Sequence, residues 1–362
     1  MTKNNILAIN PGSTSTKIAI FRDGKKILAQ NISHSAAELA PYAKIIDQYE
    51  FRVKVILNFL EQNNFDTHDL AAVVGRGGLL TPMESGTYRV SEEMIAYLKT
   101  NRLEHASNLG ALLANDIARQ IGKPAYIVDP VVVDEMDDLA RVTGIPEIQR
   151  ISIFHALNQK AAAREAAKIL KKKYQQCNLI VAHLGGGISI GAHRRGRVVD
   201  VNNALNGDGP MAPERAGSIP SWSLIELTLS GKYSQETLKK MITGKGGVVA
   251  HLNVNDMRRV EEMIKAGDQK ARLIYHAMAY GVAKEIGSLA AVLEGKIDAI
   301  VLTGGIAFDK DFINQIRKRV RFLGRVIVLP GEDEMTALAR GAQRILNNEE
   351  QAKTWKYSGG LS

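Results

Sequence analysis

The stretch Asn10-Pro11-Gly12-Ser13-Thr14-Ser15-Thr16-Lys17 sets four hydroxyl side chains behind a glycine, directly after an apolar run. A strand that enters such a loop makes a cradle for phosphate. Gly12 lets the backbone come close, and Ser13, Thr14, Ser15 and Thr16 supply hydroxyl and amide donors. Lys17 offers a cation. The competing reading is a polar hairpin whose Ser and Thr side chains bond their own backbone. A second loop, His183-Leu184-Gly185-Gly186-Gly187, has almost no side chains, so its amides are open to phosphate oxygens. Gly304-Gly305 follows another apolar run and suits close approach to a nucleoside, although a glycine pair alone also reads as a turn.

Charged residues at the ends of apolar runs complete the set. Arg76 stands in Gly75-Arg76-Gly77-Gly78, Arg215 in Pro213-Glu214-Arg215-Ala216-Gly217, and His155 at the start of an alanine-rich helix. Asp129, before Pro130, suits magnesium, which takes carboxylate, water and phosphate oxygens. Taken singly, either arginine could be a surface ion pair, His155 a packed or capping histidine, and Asp129 a turn cap.

These residues need elements to hold them. Strands are expected at 6–10, 17–21, 25–29, 70–74, 125–129, 298–303 and 325–329. Helices are expected at 42–62, 91–100, 105–121, 154–173, 234–242, 255–266, 269–294 and 334–346. The run from Ile6 to Gly12 resembles that from Leu179 to Gly185. Each enters a Gly-containing loop, then a second strand, then a turn (Arg22-Asp23-Gly24-Lys25; Arg194-Arg195-Gly196-Arg197), then a third strand. A unit used twice, about half the chain apart, implies two similar facing domains. The expected boundaries are 1–150 and 151–334, with the last helix, about 335–347, packing back on the first domain.

The bulk properties exclude several classes. Hydrophobic residues at 45% and charged residues at 23% of 362 are ordinary globular values, so neither disorder nor a fibrous class is expected. The formal charge of +9 is dispersed. Its densest runs, Lys171 to Lys173 and Arg317, Lys318, Arg319 and Arg321, fall at expected helix ends, so nucleic acid is not an expected partner. The single cysteine, Cys177, excludes an internal disulfide and a multi-cysteine metal site. The N-terminal stretch lacks the apolar core of a signal peptide, and no apolar run is long enough to span a bilayer, so a cytoplasmic protein without membrane contact is expected.

The run from Ile6 to Lys17 resembles the first signature of the acetate and butyrate kinases. These belong to the superfamily of acetate and sugar kinases, heat-shock chaperones and actin. The resemblance covers about residues 5–346 and takes in Gly75-Arg76-Gly77-Gly78, Asp129-Pro130, Phe154-His155-Ala156, His183 to Gly187, Arg215, Gly304-Gly305 and the acidic stretch Pro330 to Met335. The chain is closer to the butyrate than to the acetate branch, whose members carry asparagine where Gly186 stands. The resemblance implies an α/β fold of two ribonuclease H-like, actin-like ATPase domains related by duplication, with nucleotide in the cleft between them. It implies ATP and magnesium, a short-chain fatty acid as acceptor, and a homo-oligomer, a dimer or larger even assembly.

By the same resemblance, Asn10, Ser13 and Ser15 contact the transferred phosphoryl group and the metal. Arg76 and Arg215 clamp substrate carboxylate and phosphoryl oxygens, and His155 binds the phosphoryl group in the transition state. Asp129 and Glu334 work through magnesium, with Glu332 and Asp333 close enough to compete. His183, Gly185, Gly186 and Gly187 line the nucleotide phosphates, and Gly304, Gly305 and Ile306 the adenosine. The expected reaction is reversible transfer from ATP to butyrate, with branched acids, acetate or propionate as alternative acceptors. From other classes, a nucleotide-switched binding protein and a sugar- or polyphosphate-handling enzyme stay open.

Overall fold

The computed structural model describes residues 4–100 and 105–357. The chain forms two compact units, Met1–Val133 with Asp333–Ser362, and Asp134–Glu332. In the first, β1 (Asn5–Pro11), β2 (Ser15–Arg22), β3 (Lys25–Ser33), β4 (Leu70–Arg76), β5 (Thr87–Arg89) and β6 (Ala125–Val128) join the short strand Lys353–Thr354. Their order is Lys353–Thr354, β5, β6, β4, β1, β2, β3. In the second unit, β7 (Asn178–Leu184), β8 (Ile188–Arg194), β9 (Arg197–Val201), β10 (Ala299–Gly304) and β11 (Val326–Pro330) take the order β11, β10, β7, β8, β9.

The two sheets share a plan. β1 pairs antiparallel with β2 and parallel with β4, and β7 pairs likewise with β8 and β10. The hairpin turns both place a non-glycine residue at positive φ, Asp23 at 48° and Arg195 at 49°. Both hairpins also slip register three residues before the turn glycine, between Ile20 and Phe21 and between Ala192 and His193. A bulge and turn that recur at matching places are the mark of one unit used twice.

Burial explains the continuous apolar runs. Leu179 and Val181 of β7 pack with Ala162, Ala163 and Ala166 of the helix Ala156–Ile169, while Ile180 and Ala182 join the core of the helix Gln269–Val292. A strand covered on both faces needs apolar residues at every position. The edge strand β3, by contrast, is largely exposed and opens with two lysines, which suits an unpaired edge.

Several elements differ from expectation. The helix expected at 42–62 is Tyr49–Gln62, preceded by the short helical pieces Ala36–Leu39 and Ile45–Gln48. The helices Ser221–Leu229 and Val248–Leu252 were not anticipated. The first has apolar residues on all sides, so no polar face marks its period. The units divide at Val133/Asp134 and Glu332/Asp333, whereas the sequence suggests 150 and 334. Residues 134–150 are tied to the second unit by Lys160 Nζ to Glu135 at 2.6 Å, Arg194 to Asp137 at 3.0 Å and Arg150 to Asp200 at 2.9 Å. The helix Glu334–Leu346 packs on β1, β4 and β6.

Candidate active site

In the first unit, β1, β4 and β6 run parallel, with Ile9 opposite Gly75 and Arg76 opposite Val128. Asn10, Arg76 and Asp129 therefore stand together at the carboxyl ends of adjacent strands, where open α/β sheets bind ligands. Glu334 opens the helix Glu334–Leu346 and completes the group. Arg76 Nη1 lies 2.7 Å from Glu334 Oε1, and Asn10 Nδ2 donates to Glu334 Oε2 at 2.5 Å. Asp129 is buried, with φ of 39°, and its Oδ1 accepts from Ser85 Oγ at 2.7 Å and Gly86 N at 2.8 Å.

The three neighbouring acids have different partners. Asp333 caps the helix by accepting from Thr336 N and pairs with Lys26 at 2.8 Å. Glu332, the last residue of the second unit, lies 3.6 Å from His183 of the same unit. Of the three, Glu334 is the one that meets Arg76 and Asn10.

The loop after β1 is held from behind. Gly12 N donates to Ser15 O at 2.8 Å, and His34 N donates to Thr14 O at 2.8 Å. The carbonyls of Ser13 and Ser15 accept from Arg52 Nη2 at 3.1 Å and Nη1 at 2.8 Å. With the carbonyls of three successive residues tied back, the amides of Ser13 and Thr14 donate to no backbone group among the described residues. That leaves a concave set of donors for an anion. Lys17 is exposed on β2, outside this set.

Arg52 was not singled out in the sequence. It is fully buried in the helix Tyr49–Gln62, and its other bonds go to Gln48 Oε1 at 2.8 and 3.1 Å and Thr16 Oγ1 at 3.1 Å. Every acceptor is neutral. Burial pushes its pKa down to about 10, which still leaves a cation at neutral pH behind the loop. Burial, and then this guanidinium, lower the pKa of His34, which meets Thr16 Oγ1 at 2.8 Å.

In the second unit, β7 and β10 bring His183 opposite Thr303, so Gly185 to Gly187 and Gly304 to Ile306 leave the sheet at one edge. Gly185, Gly186, Gly305 and Ile306 line a cavity of about 920 Å³, together with Asp256 and Arg258. His183, Gly187 and Gly304 do not line it. The Gly loop also ties its carbonyls back: Gly185 N donates to Gly187 O at 3.2 Å, and Glu214 N to Gly186 O at 3.3 Å. Arg215 Nη1 donates to Ala204 O and lies where any Cβ on Gly187 would fall. Burial lowers the Arg215 pKa, partly opposed by Glu214. His155 stacks on His183 with ring centres 3.9 Å apart, and His183 Nδ1 meets Asn158 Oδ1 at 2.8 Å.

Residues 147–355 match the model of the acetokinase family. Butyrate kinase 2 of Clostridium acetobutylicum is 53% identical over 355 residues, spanning 98% of this chain and 100% of that protein. The chain belongs to the acetokinase family. Among solved structures, Porphyromonas gingivalis acetate kinase superposes with a TM-score of 0.78 at 21% identity, over 95% of this chain and 100% of that one. A propionate kinase from Francisella tularensis gives 0.71 at 21%, over 93% and 98%. The fold is thus the two-domain, actin-like architecture of the acetate kinases. As an acetokinase, the chain is a phosphotransferase that uses ATP and a carboxyl-group acceptor.

Magnesium fits the donor set of the first unit. No group of three or more His, Cys, Asp or Glu among the described residues forms a metal cage. Magnesium needs none, because it keeps waters and takes one or two carboxylates together with phosphate oxygens. Asp129 and Glu334 are carboxylates of that kind, and Asn10, which meets Glu334, adds a neutral side-chain oxygen. No helix among the described residues is long and apolar enough to cross a membrane.

Proposed function

We propose that this acetokinase transfers the terminal phosphoryl group of ATP to butyrate, giving butyryl phosphate and ADP reversibly. The observation that carries the choice of acid is the 53% identity to Butyrate kinase 2 along almost the whole chain.

A fatty-acid carboxylate is ionised at neutral pH, so it attacks without a general base and Asp129 need not take a proton. The obstacle is bringing one anion up to another. Arg76 and Arg215 offset that repulsion at the carboxylate and the equatorial phosphoryl oxygens, since phosphoryl transfer depends on positioning and electrostatics. Asn10, Ser13 and Ser15 bind the transferred group, and the tied-back carbonyls of their loop support that role. His155 meets the phosphoryl group in the transition state. His183 and Gly185 to Gly187 serve the nucleotide phosphates, and Gly304, Gly305 and Ile306 the adenosine, which the cavity beside Gly305 supports. Asn10, Asp129 and Glu334 would hold magnesium, which neutralises phosphate charge when bound. The reading includes a homo-oligomer, supported by exposed Trp222, Ile225 and Leu229 on one helix, and a cytoplasmic location.

The test is trapping of acyl phosphate with hydroxylamine, using ATP, magnesium and a panel of short acids. Butyrate is expected to give the highest kcat/KM. One methylene is worth about 1–3 kcal/mol, so acetate should fall well behind. Absence of hydroxamate from every acid would overturn the reading, and a higher kcat/KM for acetate or propionate would replace butyrate.

A further inference from the structure

Behind His155 runs a buried chain of hydrogen bonds that the reaction, as described so far, does not use. Tyr174 Oη meets His193 Nδ1 at 2.7 Å, and His193 Nε2 meets Gln159 Oε1 at 3.0 Å. Gln159 Nε2 donates to Ser189 O at 3.0 Å and to Ser189 Oγ at 2.8 Å. Ser189 Oγ then meets His155 Nδ1 at 2.9 Å and accepts from His155 N at 3.4 Å. Ser189, Gln159 and His193 are each fully buried, so no water competes for these bonds.

The directions follow from one fixed acceptor, the neutrality of His193 and the lone pairs of Ser189 Oγ. A backbone carbonyl only accepts, so Ser189 O orients the Gln159 amide with its nitrogen toward Ser189 and its oxygen toward His193. His193 must therefore donate from Nε2. Burial, and then Lys160 and Arg164, hold its pKa well below the usual histidine value, so it is neutral and its Nδ1 accepts from Tyr174. At the other end, Ser189 Oγ has two lone pairs. Gln159 Nε2 takes one and His155 N the other. The remaining partner, His155 Nδ1, can only receive the hydroxyl proton.

From this chain we infer that Ser189, Gln159, His193 and Tyr174 are positioning residues that hold His155 neutral with its proton on Nε2. An imidazolium would need Nδ1 to donate into an oxygen whose lone pairs are already filled. His155 therefore meets the phosphoryl oxygens as a hydrogen-bond donor, and never as a base competing with the carboxylate nucleophile. The donor role rests on the kinase reading above; the tautomer does not. Space for the chain is built in, since a Cβ on Gly191 would fall 2.7 Å from Gln159 Oε1.

The test is nitrogen-15 NMR of the whole protein with labelled histidine, with His155 assigned by the signal lost in His155→Gln. The expected result at neutral pH is the Nε2–H tautomer for both His155 and His193. In Ser189→Ala the His155 signal should leave that pattern, and kcat should drop about tenfold while the KM for ATP stays within about twofold, as for lost transition-state contact. A His155 proton on Nδ1, or on both nitrogens, in the unsubstituted protein would overturn the proposal whatever the variant does. So would an unmoved tautomer in a folded Ser189→Ala protein. If the tautomer stands but no short acid yields hydroxamate, the functional reading alone fails.

Discussion

The loops at Gly12 to Thr16 and at Gly185 to Gly187 do the same structural job in different ways. Each begins with a glycine N–H bonded to a carbonyl further along the loop, and in each a further carbonyl accepts from outside the loop, Thr14 O from His34 N and Gly186 O from Glu214 N. The first is made of hydroxyl side chains and backed by a buried guanidinium with neutral acceptors. The second is made of glycine and bordered by stacked imidazoles, with Arg215 lying across Gly187. A duplicated unit thus keeps its backbone device and lets the source of charge diverge. In the first loop the cation sits behind the donors. In the second it lies over them.

The largest test of that contrast removes, in each unit, the arginine proposed to meet the substrate. Arg76→Ala and Arg215→Ala should each lower turnover by about 10³ or more. Thermal melts should show both variants folded, and retained turnover in either would remove its assigned role. The next acts from behind the first loop. Arg52→Met should cost about 3 kcal/mol of stability, because the Ser13 and Ser15 carbonyls lose their donors in a buried setting. It should also cut kcat about a hundredfold, and Arg52→Lys, which keeps the charge without the fork, should recover part of that loss. Denaturant titration and hydroxamate assays measure the two effects separately. The smallest effect is expected in the second loop. A Cβ on Gly186 meets nothing nearer than Glu214 Oε2 at 3.7 Å, so Gly186→Asn, the residue of the acetate kinases, should change the KM for ATP less than about threefold.

The sheets were readable from sequence because strands buried on both faces leave continuous apolar runs, and because the strand-loop-strand unit occurs twice. The loops were readable because few other residue types allow such close backbone approach. The supports behind them were not. Arg52 sits in an amphipathic helix, where a charged residue is expected to face water, and its partners Ser15 and Thr16 are 37 and 36 residues away. Ser189 and His193 alternate with apolar neighbours on β8 like any polar residues of a half-exposed strand, yet both are buried. Glycine runs also misled in part. Gly75 makes room for Gly110 and Gly78 for Asn108 of a packed helix, so those residues serve the core, while Arg76 between them pairs with Glu334. The acidic trio 332–334 could be sorted only by its partners, since all three have the same charge and adjacent positions.

The first unit is written in two pieces, with residues 134–332 interpolated before its final helix. During synthesis Asn10, Arg76 and Asp129, at the ends of their strands, therefore emerge long before Glu334, the carboxylate that pairs with Arg76. A nascent chain stopped short of residue 333 holds an arginine without its partner and β1, β4 and β6 without the helix that packs on them. Domains fold as they emerge, but this one must wait for its neighbour to be translated. A partly made chain thus has its loop and its arginine, yet lacks the carboxylate that pairs with that arginine until nearly every residue has been added.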